Sequence, residues 1–335
     1  MNDIGISLIV PVHNVEEYVA EFLLSLYNQT FKDFQLIIIN DGSTDNSEEI
    51  ILRFKEKFKY FDYIKQNNGG QSEARNNGIK YMKGKYTLFI DPDDYLDVSM
   101  LELMYNNAEV GGSQTVICGY RKVYDYSNKV EEKIFNIEEN KVYKNYDILK
   151  LIMTSDIDGY LWNKMFLSEN IKKHGILFEK GRIIEDMYPV CNLISDSQNI
   201  TFVNKPLYNY RQRETSSLHK LKKEKYLNDY YHAFKQVCNL IKEKGYNDCS
   251  EYYEFVAGIQ TETIRQSQLL GYKLNKEIYD KFSLEKVSCI KIILNKKASK
   301  RTKIKILLFK FRILHLVLRI SEERGSTLKY PNICK

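Results

Sequence analysis

The sequence lacks several features that mark membrane-spanning, secreted or disulfide-stabilised proteins. No uninterrupted apolar run reaches the roughly 20 residues that a membrane-spanning helix needs. The first residues lead directly into an apolar segment, with neither a basic stretch nor a small-residue cleavage pattern, so we expect no secretory signal. The six cysteines are scattered and form no Cys-x-x-Cys pair, which favours reduced thiols over a disulfide framework or a zinc site. These absences predict a cytoplasmic protein.

Two missing glycine motifs narrow the class of a chain whose composition, 43% hydrophobic and 28% charged, is typical of globular proteins. No Gly-x-Gly-x-x-Gly follows the first apolar segment, where Pro11-Val12-His13-Asn14 stands instead, so a dinucleotide-dependent oxidoreductase is disfavoured. The glycine-rich loop with Arg and Lys that a sugar-nucleotide-forming nucleotidyltransferase carries after its first strand is also missing. A nucleotidyltransferase is therefore the less favoured alternative.

Acidic residues are missing from one long stretch near the C-terminal end. Between Glu285 and Glu322 the sequence has eleven Lys or Arg and no acid, although the whole chain carries a formal charge of only +6. The rest of the chain is therefore net negative, and aromatic residues alternate with basic ones in this tail alone. This distribution disfavours a nucleic-acid partner.

The basic tail is expected to form a helix over residues 298–321. Its cations at positions 301, 305, 312 and 319 would lie along one line beside a broad apolar surface: Arg301, Lys305, Arg312 and Arg319. One interpretation is a helix that packs into the core with solvated lysines. A second is a helix that lies, through residues 296–320, on the anionic inner face of the cell membrane. Each basic residue near that surface would contribute about 1 kcal/mol of electrostatic attraction. A homodimer contact is the third.

Apolar runs alternate with helical patterns through the first part of the chain. Strands are expected at residues 6–12, 34–39, 61–65 and 86–90, with a helix after each of them. Such alternation is typical of βαβ units, so the sequence predicts an α/β fold in which a mostly parallel, Rossmann-like sheet is flanked by helices. Helical patterns dominate after residue 221.

Three carboxylates around a proline follow the fourth expected strand, as Asp91-Pro92-Asp93-Asp94. In extended chain the side chains at positions i and i+2 point the same way, so Asp91 and Asp93 can converge on one point. Two hard oxygen donors suit Mg²⁺ or Mn²⁺ that also holds a phosphate-bearing substrate. The ordinary interpretation of an isolated Asp-x-Asp is a turn that ends a strand and caps the next helix.

Other polar residues follow the earlier strands at what should be the same edge of the sheet. Asn14 follows the first strand, where it is also a candidate helix cap, and Asp41 follows the second. Gly70 precedes a helix that carries Arg75 in its first turn, and its missing side chain allows the backbone to approach a ligand. Ligands of open α/β sheets bind beyond the carboxyl ends of the strands, which makes this edge the expected site.

Two further motifs stand later in the chain. Glu185 and Asp186 directly precede an amphipathic helix, where one of them would serve as an ordinary cap. Trp162, the single tryptophan, is followed by Asn163, and a tryptophan taken alone is more often part of the core than a ligand platform.

Together these motifs resemble the family 2 glycosyltransferases with the GT-A fold. The resemblance rests on motifs in one order from residue 6 to 219: Pro-Val-His-Asn, Asn-Asp-Gly-Ser-Thr-Asp, Asn-Gly-Gly-Gln-Ser-Glu-Ala-Arg-Asn, Phe-Ile-Asp-Pro-Asp-Asp, Trp-Asn-Lys, Glu-Asp and Tyr-Arg. It is strongest toward bacterial enzymes that build capsule, exopolysaccharide, wall teichoic acid or other surface glycans. It implies transfer of a sugar from a donor, usually UDP-linked, to an acceptor hydroxyl of a growing glycan or a lipid-linked oligosaccharide, with inversion.

The resemblance also implies a role for each motif residue. The donor's nucleotide would contact Asp41 through uracil or ribose, with these residues beside it: Pro11, Val12, Asn14, Gly70 and Arg75. Asp91 would touch the ribose or the metal's shell, and Asp93 would bind Mn²⁺ or Mg²⁺. Asp186 would be the catalytic base, with Glu185 beside it. Trp162 and Asn163 would lie near the donor sugar and the acceptor, and Arg211 and His219 would cover the pyrophosphate.

The resemblance divides the chain into two expected domains. Residues 1–220 would form a GT-A domain that binds the nucleotide sugar and catalyses transfer, and residues 221–335 a helical region with the basic amphipathic tail. An inactive partner subunit that only binds sugar nucleotides is the alternative, although the acids that an active site needs are all present.

Overall fold

The computed structural model describes residues 4–127, 129–138, 141–175, 177–213, 223–284, 296 and 298–316. Of the residues given an expected role above, His219 and Arg319 lie outside the described residues. The chain divides into two compact units. The first comprises Met1–Ile148 and Tyr160–Lys220, and the second comprises Leu149–Gly159 and Leu221–Lys335.

Nine strands and eleven α-helices are formed by the described residues. The strands are β1 (Ile6–Val12), β2 (Phe34–Asp41), β3 (Tyr60–Gln66), β4 (Tyr86–Phe89), β5 (Tyr95–Leu96), β6 (Thr115–Tyr124), β7 (Val130–Lys133), β8 (Lys164–Leu167) and β9 (Ile200–Gln212). The helices are α1 (Val19–Tyr27), α2 (Ser47–Arg53), α3 (Gln71–Ile79), α4 (Met100–Gly111), α5 (Asn145–Met153), α6 (Ser168–Lys173), α7 (Met187–Asp196), α8 (Lys223–Glu243), α9 (Ser250–Leu269), α10 (Lys276–Lys281) and α11 (Lys300–Lys310).

All nine strands belong to one sheet of the first unit, in the order β3-β2-β1-β4-β8-β6-β9-β5 with β7 beside β6, as far as the structure describes the chain. The neighbours from β3 to β4 are parallel, and β6 is also parallel to β9. Strand β8 runs antiparallel between β4 and β6, so it joins the two parallel parts. The predicted α/β fold with a mostly parallel sheet flanked by helices is therefore confirmed.

The central strands are buried on both faces, which explains their apolar sequences. Every residue of β1, β2 and β4 is buried, as expected for parallel strands covered by helices on both sides. The main core joins these strands to α1 and α4 through residues that include Leu8, Phe22 and Leu101. This core fixes where β2 and β4 end, and thus where the polar residues after them begin.

The second unit is helical over its described residues. Its core is formed by side chains from α8 to α11 and the residues that follow them: Leu227, Ile264, Tyr279, Phe282, Phe309 and Leu314. No helix in the described part of the chain is both long enough and apolar enough to cross a membrane.

The basic tail differs from the single long helix that the sequence predicts. Helix α11 ends at Lys310, and Arg312 adopts a left-handed conformation with φ of 62°, which ends the helix. Arg312 therefore does not continue the line of Arg301 and Lys305. Ile306 and Phe309 are buried, so the core-packing interpretation holds for that face of the helix.

The core under β4 can be tested with a matched pair of leucines. Leu88 is fully buried in β4, three residues before Asp91, whereas Leu24 on α1 is 46% exposed. We expect Leu88→Ala to lower the free energy of unfolding by about 2–5 kcal/mol, because it removes buried methyl groups and leaves a cavity. Leu24→Ala should change it by less than about 0.5 kcal/mol. Chemical denaturation of both variants measures the difference, and equal effects would contradict this description of the core.

Candidate active site

The polar residues expected at the sheet edge follow strands that end at the same side. Strand β1 is parallel to both β2 and β4, with Val12 opposite Asn40 and Ile9 opposite Phe89. The carboxyl ends of these three strands therefore share one rim, as the sequence predicts. Asp41 ends β2, and Asp91 lies two residues beyond β4.

Asp41 organises the loop between β3 and α3. Its carboxylate accepts hydrogen bonds from the backbone N–H of Gly69 at 2.8 Å, the backbone N–H of Gly70 at 2.7 Å and the side chain of Gln66 at 2.8 Å. Gly70 has a φ of 86°, a conformation that residues with a side chain rarely adopt, and it is the N-cap of α3. The contact thus links the end of β2 to the start of α3.

The segment after β1 forms a tight polar turn against the loop after β2. Asn14 adopts a φ of 51°, and its Oδ1 accepts a hydrogen bond from Thr44 N at 2.8 Å. Helix α1 begins only at Val19, so the interpretation of Asn14 as its cap is wrong; the side chain bonds to the neighbouring loop instead. Pro11 and Val12 are buried at the end of β1, directly before this turn.

Arg75 is a buried cation that joins two acidic segments far apart in sequence. Its side chain is 5% exposed, donates to Asp91 Oδ1 at 2.9 Å and also donates to Glu185 Oε1. Gln71 on the same helix donates to the same Glu185 oxygen. Arg75 therefore brings α3, the residues after β4 and the residues before α7 to one place.

Burial, together with the excess of acids over cations around Arg75, raises the pKa of Glu185 and of Asp186. Burial, opposed by Arg75 and reinforced by the charge of Asp186, raises the pKa of Glu185 to about 7. Burial also raises the pKa of Asp186, again opposed by Arg75 and reinforced by Asp91. These acids therefore ionise less readily than they would in water.

Two buried polar atoms of this cluster have no hydrogen-bond partner among the described residues, namely Arg75 Nε and Glu185 Oε2. Buried polar groups are nearly always paired, by protein atoms or by ordered water. The cluster therefore retains unused capacity to donate and accept hydrogen bonds.

Asp186 occupies the N-cap position of α7, but its side chain makes no capping hydrogen bond. Helix capping therefore does not account for this acid. The positive charges of Arg75 and Lys164 favour the ionised form of Asp186, and the negative charge of Asp91 disfavours it. Asp186 therefore lies close enough to Asp91 at the rim and to Lys164, which follows Trp162 and Asn163, for their charges to change its pKa.

Asp93 and Asp94 have different surroundings. Asp93 Oδ2 accepts a hydrogen bond from Arg213, and burial together with Asp91 raises the pKa of Asp93. Asp94 is 1% exposed and accepts from Tyr208 Oη at 2.7 Å and from the backbone N–H of Arg211 at 2.8 Å. Asp94 thus fastens β9 to the acidic turn, whereas Asp93 stays partly open.

The described residues contain no group of three or more His, Cys, Asp or Glu side chains arranged to hold a metal ion. At this rim the carboxylates of Asp91 and Asp93 are each about one-quarter exposed, at 27% and 23%. One or two carboxylates are what Mg²⁺ uses when substrate phosphates and water complete its coordination. The donor set fits a metal shared with a phosphate ligand better than a closed protein cage.

Arg211 is held on several sides. It donates to the backbone oxygen of Asp93 at 2.9 Å and to Asp125 at 3.0 Å, and it pairs with Glu21. Its guanidinium also lies over the rings of Tyr18 and Tyr95. The expected contact of Arg211 with a pyrophosphate therefore competes with these partners. Of Arg211 and Arg213, it is Arg213 whose side chain pairs with the carboxylate of Asp93.

Trp162 and Asn163 are both buried. Trp162 is 5% exposed and stacks between Tyr160, at a ring distance of 4.8 Å, and Tyr208, at 4.4 Å. Asn163 is 0% exposed, donates to Cys118 O at 2.8 Å and accepts from Lys164 Nζ at 2.8 Å. These side chains support the wall behind Asp91 and Asp94, because Tyr208 Oη also contacts Asp91 N at 3.4 Å.

Comparison with known proteins identifies relatives over much of this chain. The model of the family described as Glycosyl transferase family 2 matches residues 7–175. The glycosyltransferase GlyA of Streptococcus pneumoniae serotype 4 is 31% identical over 253 residues, which cover 73% of this chain and 36% of GlyA. The minor teichoic acid biosynthesis protein GgaB of Bacillus subtilis is 31% identical over 223 residues, which cover 63% of this chain and 23% of GgaB. The chain therefore spans only a part of the length of these relatives.

The fold is also found in a solved structure, S. aureus TarS 1-349 in complex with UDP-GlcNAc. The two align with a TM-score of 0.74 and 18% sequence identity, over 97% of this chain and 93% of the other. This similarity shows a shared GT-A-like architecture. Because the family model covers half of its residues, the chain belongs to glycosyl transferase family 2.

Proposed function

We propose that this protein transfers a sugar from a UDP-linked donor to a hydroxyl group of an acceptor glycan, with inversion at the anomeric carbon. The observation that carries this proposal is the Arg75 cluster, which joins the acidic turn after β4 to the Glu185-Asp186 pair. One side of the cluster would face the donor's diphosphate, and the other would face the acceptor's hydroxyl. Displacement at the anomeric carbon needs both.

The nucleotide of the donor would lie at the carboxyl ends of β1 and β2. Asp41, Asn14 and Gly70 would form its pocket, with Pro11 and Val12 beneath it. A UDP-sugar donor is supported by TarS, which shares the fold and whose structure was solved in complex with UDP-GlcNAc. Residues 1–220 would then form the catalytic domain and residues 221–335 the helical region.

A divalent metal ion, Mn²⁺ or Mg²⁺, would be held by Asp93 and, directly or through water, by Asp91. When bound, such an ion neutralises the charge that develops on a leaving diphosphate. Trp162 and Asn163 would act as supports of the site and not as ligands, because the indole is buried in an aromatic stack and the amide of Asn163 is hydrogen-bonded within the protein.

Asp186 would act as the general base. It would take the proton of the acceptor hydroxyl while that oxygen attacks the anomeric carbon and the bond to the diphosphate oxygen breaks. The nucleotide diphosphate leaves on the opposite face, so an α-linked donor gives a β-linked product. Arg75 would hold Glu185 beside Asp186 and limit the charge repulsion within the pair.

The acceptor would be a growing surface glycan or a lipid-linked oligosaccharide. This is supported by the similarity to GgaB, a minor teichoic acid biosynthesis protein. A peripheral position at the membrane is supported by α11 and the residues after it. Ile304 is 56% exposed, Phe311 63% and Leu316 52%, and the side chains of Lys300 and Arg301 beside them are also exposed. Apolar side chains next to cations match an anionic lipid surface.

Replacement of the proposed base tests the function directly. We expect Asp186→Asn to lower transfer by at least about 10²-fold, because the amide cannot accept the proton, while UDP binding persists. Asp196→Asn, at the other end of α7, serves as the matched control and should keep normal turnover. UDP release from a panel of UDP-sugars with Mn²⁺, with and without acceptor glycan, gives the rates. Near-normal turnover of Asp186→Asn would remove Asp186 from this role.

The pH dependence of transfer should depend on Glu185. Asp186 must be ionised to accept a proton, and its raised pKa means that activity is lost as the pH falls, at a higher pH than for an ordinary aspartate. Glu185, with its pKa raised to about 7, carries part of a negative charge near neutral pH; Glu185→Gln removes that charge and so lowers the pKa of Asp186. We therefore expect the acidic limb of the kcat profile to move to lower pH. A shift to higher pH would contradict this arrangement of charges.

Membrane association can be tested by sedimentation with anionic liposomes at low salt. We expect the full chain to bind, and the double substitution Ile304→Ser and Phe311→Ser to weaken binding, because it removes the exposed apolar side chains of the tail. Val110→Ser, at a side chain on α4 that is 91% exposed, is the control and should bind like the parent protein. Failure of the parent protein to bind would refute the membrane interpretation.

A further inference from the structure

Arg213 contacts the acid that is the proposed metal ligand. Its guanidinium pairs with Asp93 Oδ2, and the two side chains are equally exposed, at 23% each. The same guanidinium lies over the ring of Tyr18, 4.8 Å from the ring centre. The position beside this carboxylate is thus taken by a cation that belongs to the protein itself.

Arg213 has fewer hydrogen-bonding and ion-pair partners than Arg211, which lies two residues earlier in the chain. Arg211 has the acidic partners Glu21 and Asp125 and a backbone acceptor at Asp93, and its side chain is 13% exposed. For Arg213, Asp93 is the one acidic side chain that pairs with it within the described residues. A partly exposed ion pair of this kind is weak and exchangeable, whereas Arg211 has several contacts to lose.

A divalent ion on Asp93 would bind the same carboxylate that Arg213 already contacts through Oδ2. The two positive charges would repel each other if both remained on one carboxylate. Repulsion from the ion would therefore favour displacement of the guanidinium, and the displaced guanidinium needs new acceptors. A diphosphate supplies them, since planar guanidinium groups bind phosphate oxygens through two hydrogen bonds.

We propose that Arg213 is the resident counter-ion of Asp93, which couples the binding of the metal to the binding of the donor. Without donor, Arg213 occupies Asp93 and keeps the metal affinity low. With donor, the diphosphate draws Arg213 away and the metal takes its place. Linkage then requires that donor raise metal affinity by the same factor by which metal raises donor affinity. This inference rests on the proposed function, in which Asp93 binds the metal.

The test measures Mn²⁺ binding to the donor-free protein, from the electron paramagnetic resonance signal of free Mn²⁺. We expect Arg213→Met to tighten Mn²⁺ binding by at least about fivefold, and to weaken UDP binding at saturating Mn²⁺. Arg213→Lys retains the charge and should keep the weak Mn²⁺ binding of the parent. Arg265→Met, at an arginine paired with Glu262 on α9, is the matched control and should leave Mn²⁺ affinity unchanged.

The assignment of the Mn²⁺ site is checked by adding Asp93→Asn to Arg213→Met, which should abolish the gain. If Arg213→Met binds Mn²⁺ no more tightly than the parent, or the gain survives Asp93→Asn, the proposal is overturned. The measurement involves no sugar transfer. If Arg213→Met tightens Mn²⁺ binding as expected but the parent protein transfers no sugar, the proposed function is refuted and the counter-ion role stands.

Discussion

The site depends on the compensation of one buried positive charge. Arg75 is almost completely removed from solvent, and burying a guanidinium without partners costs several kcal/mol. Asp91 and Glu185 offset that cost, so the residues after β4 and before α7 must be in place for α3 to pack. Folding of the first unit and assembly of the candidate site are therefore coupled through a single side chain.

The same cluster sets the chemistry that the site can perform. Three acids, Asp91, Glu185 and Asp186, share the charge of Arg75, and Lys164 also acts on Asp186. Burial, reinforced by repulsion from neighbouring acids, raises the pKa of Glu185 and of Asp186, so these two groups hold their protons more tightly than they would in water. A carboxylate whose pKa is raised toward neutral pH is a stronger base than a free one, which suits removal of a proton from a sugar hydroxyl.

Much of the first unit could be predicted from the sequence, because buried parallel strands have short, nearly continuous apolar sequences. Because ligands bind beyond the carboxyl ends of such strands, the sequence predicted that Asp41 and Asp91 lie at one rim of the sheet. Local patterns could not reveal the contact between Arg75 and Glu185, which are 110 residues apart. The same limit applies to Arg213, whose partner Asp93 lies 120 residues away.

Two interpretations, Asn14 as a helix cap and the tail as a single long helix, were wrong, because the spacing of residues in the sequence does not determine the backbone conformation at one position. Asn14 has the right residue type for a helix cap, but a left-handed backbone turned it toward Thr44. The tail has a helical spacing over a long range, but Arg312 ends the helix early because its own backbone is left-handed. In both cases one dihedral angle overrode a pattern of side chains.

The aromatic stack around Trp162 has a practical consequence. The chain has one tryptophan, and its indole lies between the rings of Tyr160 and Tyr208. The hydroxyl group of Tyr208 in turn contacts Asp91 N and the carboxylate of Asp94. Its fluorescence therefore arises from a single position at the wall of the site. Emission wavelength and quenching can be followed without any added dye, so the protein carries its own optical probe of events at this rim.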